Sequence, residues 1–188
     1  TLARDVAEGT GEPLGAIAFG DDAEAAAATL GDYGVETVHA IEHEALGAYA
    51  PRAWAESVGQ CIEEFDPDAV VAPGTDRGGE VLAPVAATRD LPMAAECVEV
   101  AVGDAYELTR QRWGGTLLEH AELEADTKLL TVAPNEVSAA TAGGEATVHS
   151  FTPEVSDAAL DVTLSEVEVS DEEGVPLSEA RVVIGGGR

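Results

Sequence analysis

Short apolar runs that end in turns and give way to helical spacing recur three times in the first half of the chain. This rhythm restricts the fold more than any other feature. Leu14 to Gly20 is a buried-strand run, and the Ala- and Glu-rich stretch behind it reads as a helix capped by Asp21 or Asp22. Val35 to Ile41 alternates like a strand, and Ala53 to Phe65 sets Trp54, Val58, Cys61, Ile62 and Phe65 at helical intervals. Ala69-Val70-Val71-Ala72 is a further buried strand, followed by a helix from about Gly78 to Arg89. Successive β-α units predict an α/β fold: a three-layer, doubly wound, mostly parallel, Rossmann-like sheet.

After Leu91 the rhythm changes. Cys97 to Val102 and Glu107 to Glu124 read as extended, with Gly114-Gly115 as a turn, and Leu129 to Ala133 is another strand. Ala139 to Glu145 reads as a surface loop, with strands at Thr147 to Phe151 and Val162 to Val169. These late strands lack helices between them and are expected as extra antiparallel strands. Asp171-Glu172-Glu173-Gly174 reads as a solvated linker before the apolar run Val182-Val183-Ile184, which enters Gly185-Gly186-Gly187-Arg188. The expected organisation is an α/β scaffold domain over 1–170, then a linker and a first strand over 171–188. Thr1 to Ala7 reads as the tail of a helix, so both ends resemble borders of an excised piece.

Charge narrows the function. Among 188 residues, 37 are acidic and 9 basic, for a formal net charge of -28. A polyanion repels phosphate backbones and anionic lipid heads, so neither nucleic acid nor a membrane surface is an expected partner. The acids are interspersed among Ala, Val and Leu, whereas disordered acidic tails are block-like and poor in apolar residues. The charge is thus expected on a folded surface. Self-repulsion of this size is screened only where the Debye length is short, about 3 Å at 1 M salt, and a salt-rich, halophilic cytoplasm is inferred. Cys61 and Cys97, the only cysteines, have no CxxC spacing and read as buried hydrophobes in a reducing compartment. No apolar run approaches the ~20 residues of a membrane helix.

Candidate sites are few. Pro73-Gly74-Thr75-Asp76-Arg77-Gly78-Gly79 lies where an open α/β sheet places ligands, but it matches neither a Walker A nor a GxGxxG pattern. It reads as a tight turn or partner-facing loop, with anion contact as the alternative. Gly9-Thr10-Gly11 precedes a strand and reads as a helix-to-strand connection. His39 and His43 have the spacing of a helical zinc pair, yet on a strand four residues span roughly 13 Å. His120 and His149 are isolated, and no nucleophile elbow or acid-base constellation recurs. Arg110 and Arg112, beside Trp113, either pair with acidic neighbours or face a partner.

In order, Asp68 to Gly78, Leu82-Ala83-Pro84-Val85-Ala86-Ala87, Thr109-Arg110 before Trp113-Gly114-Gly115, and Val182 to Arg188 resemble the α subunit of electron transfer flavoproteins. The resemblance covers nearly the whole chain and is that of an N-terminal domain lacking the C-terminal FAD domain. Four departures stand out: Gly78-Gly79 replaces the family's Gly-Arg, Gln111 the Pro after Arg, Pro134-Asn135-Glu136 an Arg-Pro-Gly, and Gly185 a Ser. The resemblance implies FAD as cofactor, with Arg188 as the cofactor-contacting cation and Gly185, Gly186 and Gly187 shaping its approach. It implies a non-catalytic electron-carrier subunit scaffolded with a β subunit, which exchanges electrons with acyl-CoA-type dehydrogenases and a membrane quinone reductase. Loss of FAD affinity is expected for such a domain alone. The alternatives are a stand-alone adenine-nucleotide-binding domain, of the universal-stress or adenine nucleotide alpha hydrolase-like type, and a purely structural dimerisation module.

Overall fold

The computed structural model describes residues 1–20, 23–166 and 180–185. Its elements are α1 (Leu2–Thr10), β1 (Gly15–Phe19), α2 (Ala23–Gly31), β2 (Thr37–Ile41), α3 (Pro51–Phe65), β3 (Ala69–Pro73) and α4 (Asp76–Arg89). The strands β4 (Met93–Ala101), β5 (Tyr106–Arg112), β6 (Leu117–Leu123), β7 (Lys128–Val132) and β8 (Thr147–Phe151) follow. The proposed caps Asp21 and Asp22 lie outside the described residues.

Alternation along the strands builds the three layers. Ala16, Ala18 and Val38 point to one face, where Ala27 and Leu30 of α2 cover them. Ile17, Phe19 and Ile41 point to the other, against Ala53, Trp54 and Cys61 of α3. The same division runs through β3, where Ala69 and Val71 face the cluster of Leu2 and Val6 from α1, while Val70 and Ala72 face α3 and α4. Burying Leu2 and Val6, each under a tenth exposed, contributes roughly 1.5–3 kcal/mol apiece. Helices thus cover both faces, and the expected mixed, Rossmann-like three-layer α/β architecture is present.

The strand order departs from the simplest expectation in three ways. The ladder is divided: β1-β2-β8 form one sheet and β3-β7-β4-β5-β6 another. The two are joined through side chains, since Ile17 and Phe19 of β1 and Val70 and Ala72 of β3 pack against the same α3–α4 cluster. Among the late strands, only β5 and β6 are antiparallel to their neighbours; β7 pairs parallel between β3 and β4, and β8 parallel beside β2. Leu129 and Leu130, both fully buried, suit β7 to that central place. Finally, Val162 to Glu166 is exposed and irregular, because the Leu164 N–H donates to the Tyr49 carbonyl, at 2.8 Å, and enters no ladder. The rest of that expected strand lies outside the described residues.

Candidate functional site

The turn from β3 into α4 is filled by the protein itself. The Thr75 hydroxyl caps α4 by accepting from the Gly78 N–H at 3.2 Å, and the Gly74 N–H donates to the Val132 carbonyl at 2.8 Å. A β-carbon on Gly74 would stand 2.5 Å from that carbonyl and 2.8 Å from a Glu96 carboxylate oxygen, and one on Gly78 would collide with the Pro73 carbonyl. Both glycines therefore serve close packing. A carboxylate beside Gly74 opposes the anion contact considered for this loop.

Next to this turn is an aromatic cluster. Phe19 stacks on Trp54 with centroids 4.1 Å apart, Tyr49 meets Trp54 edge-on at 4.9 Å, and the Arg77 guanidinium lies 4.8 Å from the Tyr49 ring centroid. The Tyr49 hydroxyl donates to Glu80 at 2.8 Å; burial first, then the Glu80 carboxylate, push it up to about 12. Arg77 is thereby held on Tyr49 as a structural contact.

The histidines remain apart as functional groups. His43 caps a short 3-10 turn, its Nδ1 accepting from the Ala45 N–H at 3.2 Å. His39 stacks on Phe65 at 4.2 Å and neighbours His149 across β2–β8; burial and that neighbour lower its pKa. His120 sits 3.2 Å from the Thr109 hydroxyl on the ribbon. Among the described residues, no group of at least three His, Cys, Asp or Glu could hold a metal.

One polar cluster escaped the sequence reading. Lys128, the only lysine, is buried with its Nζ 3.0 Å from Asp68, and the Tyr106 hydroxyl donates to the same carboxylate. Burial pushes the Asp68 carboxyl up, but the Tyr106 and Lys128 hydrogen bonds outweigh it and hold the group below its ordinary value. Burial, then Asp68, push the Tyr106 hydroxyl well up. The signal available in sequence was a lone lysine opening a continuous apolar strand.

Arg110 and Arg112 do pair: their Nε atoms lie 2.6 and 3.5 Å from one Glu119 oxygen, across the β5–β6 ribbon. Beyond this clamp the ribbon tip projects Trp113, 84% exposed, with Leu117 and Leu118 more than half exposed. Trp113 adopts φ 53°, the left-handed region. Near the base, the opposite face of the ribbon forms an open groove of about 770 Å³ lined in part by Glu99, Glu107, His120 and Glu122.

Of the expected flavin residues, Gly186, Gly187 and Arg188 lie outside the described residues. Gly185 is exposed, with nothing within 4 Å of where its β-carbon would be, and Val182, Val183 and Ile184 are exposed as well. The described part of this segment therefore forms no cradle that fits FAD.

By class, then, this is an open α/β domain with a projecting antiparallel ribbon. Comparison with known proteins makes this specific. Residues 1–158 match the family model "Electron transfer flavoprotein domain", and the chain belongs to that family. It is 29% identical over 182 residues to an electron transfer flavoprotein subunit alpha of Syntrophomonas wolfei, covering 95% of this chain and 56% of the relative. To the Bacillus subtilis subunit alpha it is 26% identical, covering 96% of this chain and 55% of the relative. A Bradyrhizobium diazoefficiens subunit alpha is 33% identical over 64% of this chain and 37% of its own length. The chain thus spans little more than half of the first two relatives. Among the described residues, no helix is long and apolar enough to cross a membrane.

Proposed function

We propose that the chain is the scaffold domain of an electron transfer flavoprotein α subunit. It assembles with a β subunit and serves FAD-dependent electron transfer from acyl-CoA-type dehydrogenases to a membrane quinone reductase. The observation that carries this reading is the family match over residues 1–158, together with relatives named subunit alpha that align across 95–96% of this chain. On this reading the domain is an electron-carrier scaffold and performs no chemistry of its own. The flavin is held by the part of the relatives' length that this chain does not span, with Gly185, Gly186, Gly187 and Arg188 at its threshold.

A salt-rich cytoplasm is the setting that fits the composition. No Asp or Glu is buried among the described residues, so the acid faces solvent, and the buried, unpaired thiols of Cys61 and Cys97 suit a reducing compartment. Mixing the chain with the β subunit of its own source in concentrated KCl tests the proposal: a complex by light scattering is expected. A folded chain that stays alone, and instead binds AMP in calorimetry, would replace it with the nucleotide-binding reading.

A further inference from the structure

Two of the chain's four histidines stand side by side at the edge of the first sheet. His39 of β2 and His149 of β8 are register partners on one face, with ring centroids 6.5 Å apart. The half-buried His39 ring lies in a slot. A β-carbon on Gly15 of β1 would stand 3.7 Å from its Nε2, and Phe65 at the end of α3 stacks on it at 4.2 Å. Phe65 in turn meets Phe151, the last residue of β8, at 5.8 Å. This corner joins β8 to the sheet and to α3.

The chain on either side of β8 is tied down by side chains, whereas β8 itself is not. Among the described residues it pairs only with β2, and Thr147 to Ser150 are exposed. Before it, the Asp32 carbonyl accepts from the N–H groups of Ala142 and Gly143, at 2.9 and 3.0 Å, and the Ala140 carbonyl accepts from Arg4 at 2.8 Å. After it, Gln60 donates to the Glu154 carbonyl at 2.6 Å and accepts from the Glu154 N–H at 2.8 Å. The Glu56 carboxylate accepts from the N–H and the hydroxyl of Ser156, at 2.9 and 2.7 Å. A short edge strand between two such anchors can open by itself.

Protonation bears directly on this strand. The Phe65 face can accept one imidazolium, but a second, directly across the ladder, meets the first with like charge. Burial, then His149, lower the His39 pKa, so the neutral ring goes with the docked strand; its contribution to stability is present above the ordinary histidine value and is lost as pH falls below it. The carboxylates of the packed elements lie at their exposed ends. Glu36 and Glu42 flank β2, Glu145 precedes β8, and Glu63, Glu64 and Asp66 stand at the end of α3, with Glu63 taken by Arg89 and Glu42 by the Ser150 hydroxyl. The charge that acts on His39 is that of His149. We propose that His39 and His149 make β8 an acid-released edge strand: with both rings protonated, it leaves β2 between its two anchors while the rest of the sheet stays closed.

The test is amide hydrogen exchange of the whole chain from about pH 7.5 to about pH 5, corrected for the intrinsic pH dependence of exchange. The reporters are the Thr147 N–H, which donates to the Glu36 carbonyl, and the Glu42 N–H, which donates to the Phe151 carbonyl, each at 2.9 Å. Their protection should fall several-fold on acidification, while the N–H groups of Gly143 and Glu154 in the two anchors keep theirs. His39→Gln and His149→Gln should each shrink that fall and together abolish it, and His120→Gln, on the ribbon, should leave it unchanged. In molar KCl the part owed to His149 should diminish and the part owed to burial persist. Because His149 is exposed, its replacement leaves a folded chain whatever becomes of His39→Gln. Protection that does not respond to pH, or a fall that is as large in His149→Gln at low salt as in the parent, overturns the inference. So does a loss that spreads equally to Gly143 and Glu154.

Discussion

Lys128 illustrates how a single residue can be buried with its charge. Its ammonium is within 3.0 Å of Asp68, and Tyr106, itself fully buried, donates to the same carboxylate while its ring lies 4.9 Å from the ammonium. Replacing Lys128 with Met would leave Asp68 with one partner. Because the Asp68 side chain is 37% exposed, water offsets part of the loss, and a cost of about 2 kcal/mol is expected, below the 3–5 of a fully buried pair. Chemical denaturation measures it. The pH dependence has two limbs. The Asp68 pKa is lowered, so its contribution is present above the ordinary carboxylate value and is lost as pH falls below it. The Tyr106 pKa is raised, so its contribution is present below the ordinary tyrosine value and is lost as pH rises past it. Tyr106→Phe should remove the alkaline limb and also shrink the acid limb, because it takes away one of the two hydrogen bonds that hold the Asp68 pKa down. The lone lysine was visible beforehand but its partner was not, because Asp68 and Lys128 are sixty positions apart and meet only through the parallel pairing of β3 with β7.

At the level of elements, helix ends carry a correctable cost. Asp66 ends α3 and Asp90 ends α4, each in the left-handed conformation and each with a carboxylate at the negative end of the helix. Asp90→Gly should therefore raise stability by about 1 kcal/mol, which for a chain of this size is a melting-temperature increase of about 2–4 °C. An unchanged or lower value in thermal denaturation would show that the cap is not strained. The β-α units of the first half were readable because each strand is a short apolar run with a turn behind it. The β5–β6 ribbon was readable from Gly114-Gly115. Strand order was not. The positions of β7 and β8 are set by the connections at 124–127 and 133–146, which leave no periodic signal, and Val162 to Glu166 alternates but gives its Leu164 N–H to the Tyr49 carbonyl. Likewise, the arginine pair was visible in the sequence, whereas its shared acceptor Glu119 required the hairpin register Arg110↔Glu119.

For the whole molecule, a charge of -28 sets the conditions under which these parts hold together. Self-repulsion among exposed carboxylates is long-ranged in dilute buffer and is largely screened at about 1 M salt, where the Debye length is about 3 Å. The melting temperature should thus climb steadily from low salt into molar KCl, and a flat profile would contradict a salt-adapted surface. The Asp68–Lys128 pair, whose ammonium is buried and whose carboxylate is partly exposed, should be screened much less than the surface carboxylates, so the loss caused by Lys128→Met should change less with salt than the overall stability does. Assembly is the claim on which the functional account rests. Its most direct measurement is the mass of the species formed when this chain and the β subunit are mixed at equal concentration in concentrated KCl. The account predicts a single one-to-one heterodimer by light scattering. Two separate species, with the chain shown to be folded by its circular dichroism, would contradict it.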